Sequence, residues 1–363
     1  MAKISRREFL KTAALGLGGA ALAACGTGKV EMPASQARPT HPPTAAQSSA
    51  TRSPATAGPA QAAASPTGEP AATAASAAAT PSPAVAAQVS NPELVVAHGS
   101  GSYQIEDLVR QVLAPLGGMG VFVKKGAKVI VKPNICVAYH SYEYAATSNP
   151  WVIGALVKLA FEAGAASVQV LDFPFGGTAK EAYQVSGIAD QVKAAGGEMA
   201  FMPGFKYKVV EIPQGKDLSQ IGIFTDILSA DTVINVPIAK HHSLARLTLG
   251  MKNLMGVIQN REEMHIHMGE RLADLAGLVK PTLTVVDAVR ILMHNGPTGG
   301  NLKDVKQLDT LIASPDIVAA DSYATTLFGM QPDDIEYIRA GAARGLGKSD
   351  LKSLRIAEVP VGG

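Results

Sequence analysis

The chain has 363 residues, of which 47% are hydrophobic and 17% charged, and a net charge of +2. Before Cys25, four basic residues (Lys3, Arg6, Arg7, Lys11) face one acidic residue (Glu8), a net of +3, which leaves −1 for the rest. A near-neutral chain of this kind offers no footprint for nucleic acid. Two cysteines, Cys25 and Cys136, exclude a disulfide framework or a multi-cysteine cluster within one chain.

Residues 1–25 read as an address. Ser5-Arg6-Arg7-Glu8-Phe9-Leu10-Lys11 has the form of a twin-arginine export signature. The apolar run Thr12 to Ala24 is too short, and too rich in Gly and Ala, for a membrane span. Leu22-Ala23-Ala24-Cys25 resembles a bacterial lipobox, which implies cleavage before Cys25 and lipidation of its sulfur. The expected location is therefore extracytoplasmic, on the cell membrane, with the lipid at Cys25 as the membrane contact. The plainer alternative is cleavage at an Ala-x-Ala site with Cys25 incidental. Residues 26–90 are dominated by Ala, Pro, Ser and Thr and hold no aromatic residue. Such a stretch cannot bury enough surface to offset the entropy of ordering, so a disordered tether is expected.

From Asn91 strands and helices alternate. Leu94–Ala97 reads as a strand, Gln104–Leu113 as a helix, and Lys128–Lys132 as a strand running into Asn134. Asn149 caps a helix that begins at Pro150 and reaches about Ala163. Val168–Leu171 is the next strand, ending at Asp172; Gly176-Gly177-Thr178 then opens a helix, with Thr178 and Glu181 spaced as a capping box. Short strands are expected at 199–202 and 208–212. Thr232–Val236 is a strand that Pro237 ends, and a helix is expected over Leu244–Met251. Leu283–Val286 reads as a strand ending at Asp287, and Leu308–Ala313 as another. Helices follow from Ser314-Pro315 to about Phe328 and near Asp333–Ala343. The fold class is α/β: a mostly parallel sheet with helices on both faces, in one large domain, 91–363, open to division into two lobes.

Loops that follow parallel strands gather at the carboxyl edge of the sheet, where ligands bind. Asn134, Asp172, Asn235 and Asp287 are expected there, with Lys132 and Lys240-His241-His242 close by. Asx residues also terminate strands and cap helices, so each one alone has a purely structural reading. Lysines at such a rim are point charges for a carboxylate or phosphate. Gly176-Gly177 offers backbone N–H groups to an anion, or simply makes a tight turn.

Several stretches resemble, in order, the domain of unknown function 362 family. They are Val131-Lys132-Pro133-Asn134; Ala146-Thr147-Ser148-Asn149-Pro150; Asp172 with Gly176-Gly177 and the later Ser186-Gly187; Asn235-Val236-Pro237 through Lys240 and His242; Thr248 with Lys252-Asn253 and Gly256; Asp287 with Gly296-Pro297; Asp316 to Asp321; and Gly345-Leu346-Gly347. The resemblance implies a fold and site positions but no reaction. Two departures stand out. Ile238 occupies a place where the family usually carries lysine, and the ferredoxin-type cysteine motifs of many relatives are missing, so no iron–sulfur cluster of its own is expected.

The reading is an exported protein with a site for a small anionic ligand. Lys240, His242 and Lys252 are the acid–base candidates, and Lys132, Asn134, Asp172, Gly176, Gly177, Asn253 and Asp287 the ligand-binding ones. His242, His265 and His267, with Asp172 or Asp287, form a candidate divalent-metal set of nitrogen and oxygen donors; no His-Glu-x-x-His spacing supports it. Gly347-Lys348-Ser349 mimics the end of a phosphate loop but has Ala342 where glycine is needed. Two functions stand side by side: an enzyme on a small anion, metal-assisted or not, and a tethered binding protein for an anionic solute or metal.

Overall fold

The computed structural model describes residues 89–363. The export signature, Cys25 and nearly all of the tether lie outside the described residues. Helices of seven residues or more are numbered here with the strands, in chain order. They are β1 (Leu94–Gly99), α1 (Ile105–Leu113), β2 (Lys128–Pro133), α2 (Pro150–Glu162), β3 (Ser167–Val170), α3 (Ala179–Val185) and α4 (Ile188–Ala194). Next come β4 (Glu198–Met199), β5 (Tyr207–Glu211), β6 (Gln220–Phe224), β7 (Thr232–Val236), β8 (Ile238–His242), β9 (Arg246–Thr248) and α5 (Met268–Val279). The last are β10 (Leu283–Leu292), β11 (Val305–Ser314), α6 (Ile317–Thr326), α7 (Glu336–Ala343) and β12 (Ile356–Val361).

The main sheet runs in the order β12-β1-β11-β10-β7-β2-β3-β4, with β8 on β10 and β9 on β8. Only β11 and β9 run against the rest. The fold is thus the mostly parallel α/β sheet that the alternation of elements predicts. Strand side chains alternate between two cores. Val95, Val129 and Val131 pack with α1, α2 and α4 on one face, while Val96, Ile130 and Val233 pack with α5, α6 and α7 on the other. β5 and β6 form a separate antiparallel pair. Among the described residues no helix is long and apolar enough to cross a membrane.

Local signals set several boundaries as expected. The Asn149 side chain accepts the Trp151 N–H at the start of α2, and Thr178 and Glu181 close a reciprocal capping box on α3. Elsewhere tertiary pairing overrides the local reading. The helix expected over 244–251 is absent: the chain folds back as the β8–β9 hairpin, and a single helical turn, Gly250–Asn253, follows. Three tertiary contacts hold this arrangement. The β8 edge lies on β10, the Tyr337 hydroxyl donates to the Leu247 carbonyl, and the buried Asp321 carboxylate accepts the N–H groups of Gly250 and Met251.

β10 does not stop at Val286 but continues to Leu292, because β11 pairs with it along its length. Asp287 is therefore an interior strand residue. Its fully buried carboxylate accepts the N–H groups of Asn149 and Val289, and burial pushes it up to about 6. Lys348, in the phosphate-loop mimic, instead gives its backbone N–H to Asp316, which caps α6.

Candidate functional site

β2 and β3 end side by side, and β7 passes through Pro237 directly into β8. Their carboxyl ends open on one cavity of about 1020 Å³. Lys132, Asn134, Asp172, Lys240, His242, Lys252 and Asn253 all line it. Asp287, Gly176, Gly177 and His267 do not. Asp287 is spent on backbone N–H groups, as above. Gly176 and Gly177 shape the loop instead: Gly176 bridges to Val137, and Gly177 (φ +81°) passes so close to Ala138 that any side chain would collide with it. They supply a turn rather than an anion cradle.

The floor is a hydrogen-bonded chain of side chains. Lys132, fully buried, donates to Asp172 Oδ1 (2.7 Å), Asn253 Oδ1 (3.1 Å) and the Pro133 carbonyl (2.9 Å). Asn253 Oδ1 also accepts from Asn134 Nδ2 (3.0 Å), and Asn134 Oδ1 accepts from Lys240 Nζ (3.0 Å). Lys240 finishes its set on the Ala146 and Pro297 carbonyls (2.7 and 3.0 Å). Asp172 is equally committed, accepting the N–H groups of Ile135 and Phe173. A buried ammonium with three oxygen acceptors has no donor left to offer. Lys132 and Lys240 therefore set charge and shape. Gly256 lets this chain close, since a Cβ there would overlap both Asp172 Oδ1 and Lys132 Nζ.

Lys252 differs. It is 7% exposed, and among the described residues the single partner of its ammonium is the Met255 thioether, 3.1 Å away. Sulfur is a weak acceptor. Burial, followed by the charges of Lys240 and Arg261, pulls this amine down to about 8. Beside it His242 Nδ1 accepts the N–H groups of Leu244 and Ala245 (3.1 and 3.2 Å). An imidazole nitrogen that accepts carries no proton, so the ring presents Nε2–H. Burial, then the neighbouring lysines, holds it down to about 3, so the ring is neutral in ordinary buffers.

His265 stacks 6.4 Å from His242, with Nδ1 at 3.2 Å from the Glu262 carbonyl. A proton on that nitrogen leaves Nε2 as a lone pair. Burial, then Lys252, lowers its pKa as well.

The histidine set expected for a metal does not assemble. His267 is exposed and pairs with Asp217 away from the cavity. Among the described residues no three His, Cys, Asp or Glu side chains are placed to hold a metal ion. His242 and His265 instead lie among Lys252, Lys240 and Arg261, a field that repels a divalent cation.

Sequence reasoning did not single out Arg261, Tyr207 or Thr248 as site residues. Arg261 lines the cavity, donates to the Phe173 and Pro174 carbonyls and lies over the Phe173 ring at 4.7 Å. The hydroxyls of Tyr207 and Thr248 are buried in the wall with no hydrogen-bond partner among the described residues. Thr248 sits in a stretch that carried the family resemblance; no local signal pointed to the other two. Cys136 also lines the cavity, with Sγ 3.5 Å from the Pro297 carbonyl.

Residues 129–326 match the family model described as Domain of unknown function (DUF362). The chain belongs to the DUF362 family. The matched span contains the whole cavity floor. The thylakoid-associated protein sll1697 of Synechocystis sp. is 29% identical over 265 residues, which cover 68% of this chain and 78% of that protein. Among solved structures, the lactate racemase apoprotein of Thermoanaerobacterium thermosaccharolyticum aligns with a TM-score of 0.32 and 12% identity. That alignment covers 62% of this DUF362 chain and 54% of the other, so the chain spans about half the length of that structure. The likeness is too distant to speak to the site.

Proposed function

We propose that this DUF362 protein is an enzyme that binds a small anionic substrate in the cavity and moves a proton on it. The observation that carries the reading is Lys252. In a floor where the other two lysines are saturated, it alone keeps a buried amine with no oxygen acceptor. With a pKa of about 8, it exchanges a proton near neutral pH, as a general base or acid must. His242 supplies a neutral Nε2–H donor toward charge that develops on the substrate. Lys240 and Arg261 add fixed positive charge, and Asn134 and Asn253 hold the floor rigid. Export and lipidation at Cys25 belong to the same proposal and rest on the leader sequence alone.

The test is mass spectrometry of ligands retained by protein from its native host, followed by turnover of each ligand. Lys252→Met and His242→Gln are each expected to lower turnover of that ligand at least a hundredfold. Retained ligand with no turnover in the parent protein would leave the tethered binding protein as the better reading. Full activity in Lys252→Met would end the proposal.

A further inference from the structure

The cavity is too large for a bare anion. A five-atom anion displaces about five waters, on the order of 150 Å³, against a cavity of about 1020 Å³. The walls also divide by chemistry. The floor is cationic and amidic. The mouth carries Phe173, Phe175 and Leu244, which are 44%, 69% and 65% exposed and line the same cavity. Three large apolar side chains in solvent around one opening mark a surface that something covers. The acidic groups nearby are Glu262 and Glu263, solvent-facing at the rim, and Asp172, whose oxygens are already engaged. Among the described residues the groups that act on the Lys252 amine are Lys240, Arg261 and Cys136, none of them a carboxylate.

We infer that the ligand is an amphiphilic anion: a carboxylate or like group on the floor at Lys252 and His242, joined to an apolar group of six or more carbons lying against Phe173, Phe175 and Leu244. This rests on the reading of the cavity as an anion site, and the experiment separates the two. Each methylene removed from water favours binding about three- to fourfold, so partial cover of a seven-carbon tail is worth more than a factor of thirty.

Calorimetric titration of the full chain with acetate, octanoate and 1-octanol reads all three elements. Octanoate is expected to bind at least thirtyfold tighter than acetate and at least tenfold tighter than octanol. The double variant Phe175→Ser, Leu244→Ser changes two exposed side chains. It is expected to weaken octanoate at least tenfold and leave acetate unchanged. Equal binding of acetate and octanoate overturns the amphiphile while the anion site stands. Octanol equal to octanoate overturns both, as does failure of every probe to bind. Unaltered octanoate affinity in the double variant overturns the placement of the tail at the mouth.

Discussion

Three lysines enter one floor, and their chemistry differs because their acceptors differ. Lys132 and Lys240 each meet three oxygens, whereas Lys252 meets one sulfur. The cost of burying Lys252 charged has a pH signature. Its folded pKa of about 8 lies below the ordinary 10.5. Between those values the unfolded chain holds a proton that the folded chain has released, so stability rises with pH across that window. Below about 8 the amine is charged in both states and the folded state carries the full penalty, at most roughly 3 kcal/mol. Lys252→Met is therefore expected to be more stable than the parent at pH 7, by ~1–3 kcal/mol, with the gap closing toward pH 10.5. Urea denaturation at pH 7 and pH 10 measures it, and a gap that does not change with pH would rule out this account. His242 acts in the same sense at lower pH. The unfolded ring takes a proton below about 6.5 that the folded ring refuses until about 3, so acid erodes stability between those values.

At the scale of elements, the site depends on a single helical turn, Gly250–Asn253, which carries both Lys252 and Asn253. So short a turn does not hold itself. The Asp321 carboxylate, from α6, accepts the N–H groups of Gly250 and Met251 and fixes the turn against the core. Asp321→Ala leaves two buried N–H groups unpaired at about 1–3 kcal/mol each. A loss of ~2–5 kcal/mol in urea unfolding is expected, with weaker octanoate binding at temperatures where the variant is still folded. Binding at parental strength would show that the turn is held by other means. How much of this was legible in the sequence follows the same division. Asn149-Pro150 and Thr178 with Glu181 act on their own N–H groups, and Asn134 and Asp172 stand where strands end, so local reading finds them. The stretch 244–251 is rich in helix formers, and only partners far along the chain, Tyr337 and Asp321, make it a hairpin and a turn. Asp287 is an interior strand residue, not a strand end, because its strand is prolonged by β11, where its partner is Leu311. Arg261 and Tyr207 reach the cavity from segments with no motif of their own, and only the fold connects them to it.

For the whole molecule, β12 closes the edge of the sheet by pairing along all of β1. It lies far from the cavity, which opens beyond β2, β3 and β8. Removing residues 355–363 strips that ladder and the packing of Ala357 and Val361 on the α1 face. At about 1 kcal/mol per ladder bond, the loss is about 3–5 kcal/mol, or about 10 °C in melting temperature. Thermal scanning checks this. Octanoate binding at low temperature is expected to survive, since no cavity residue is touched. A truncated protein that melts with the parent would mean that β12 is ornamental.

The position of β1 also sets a timetable for synthesis. Among the described residues β1 pairs within the sheet only with β11 and β12, which lie far later in the sequence. Roughly 210–220 residues separate Val95 and His98 from their partners on β11. At translation rates of about 5–20 residues per second, β1 waits on the order of 10–40 s before it can pair. The parallel strands β2, β3 and β7, which make the cavity floor, have by then all left the ribosome. The half of the sheet that bears the cavity can therefore assemble on the nascent chain, while its opposite edge is completed only once β11 and β12 have emerged.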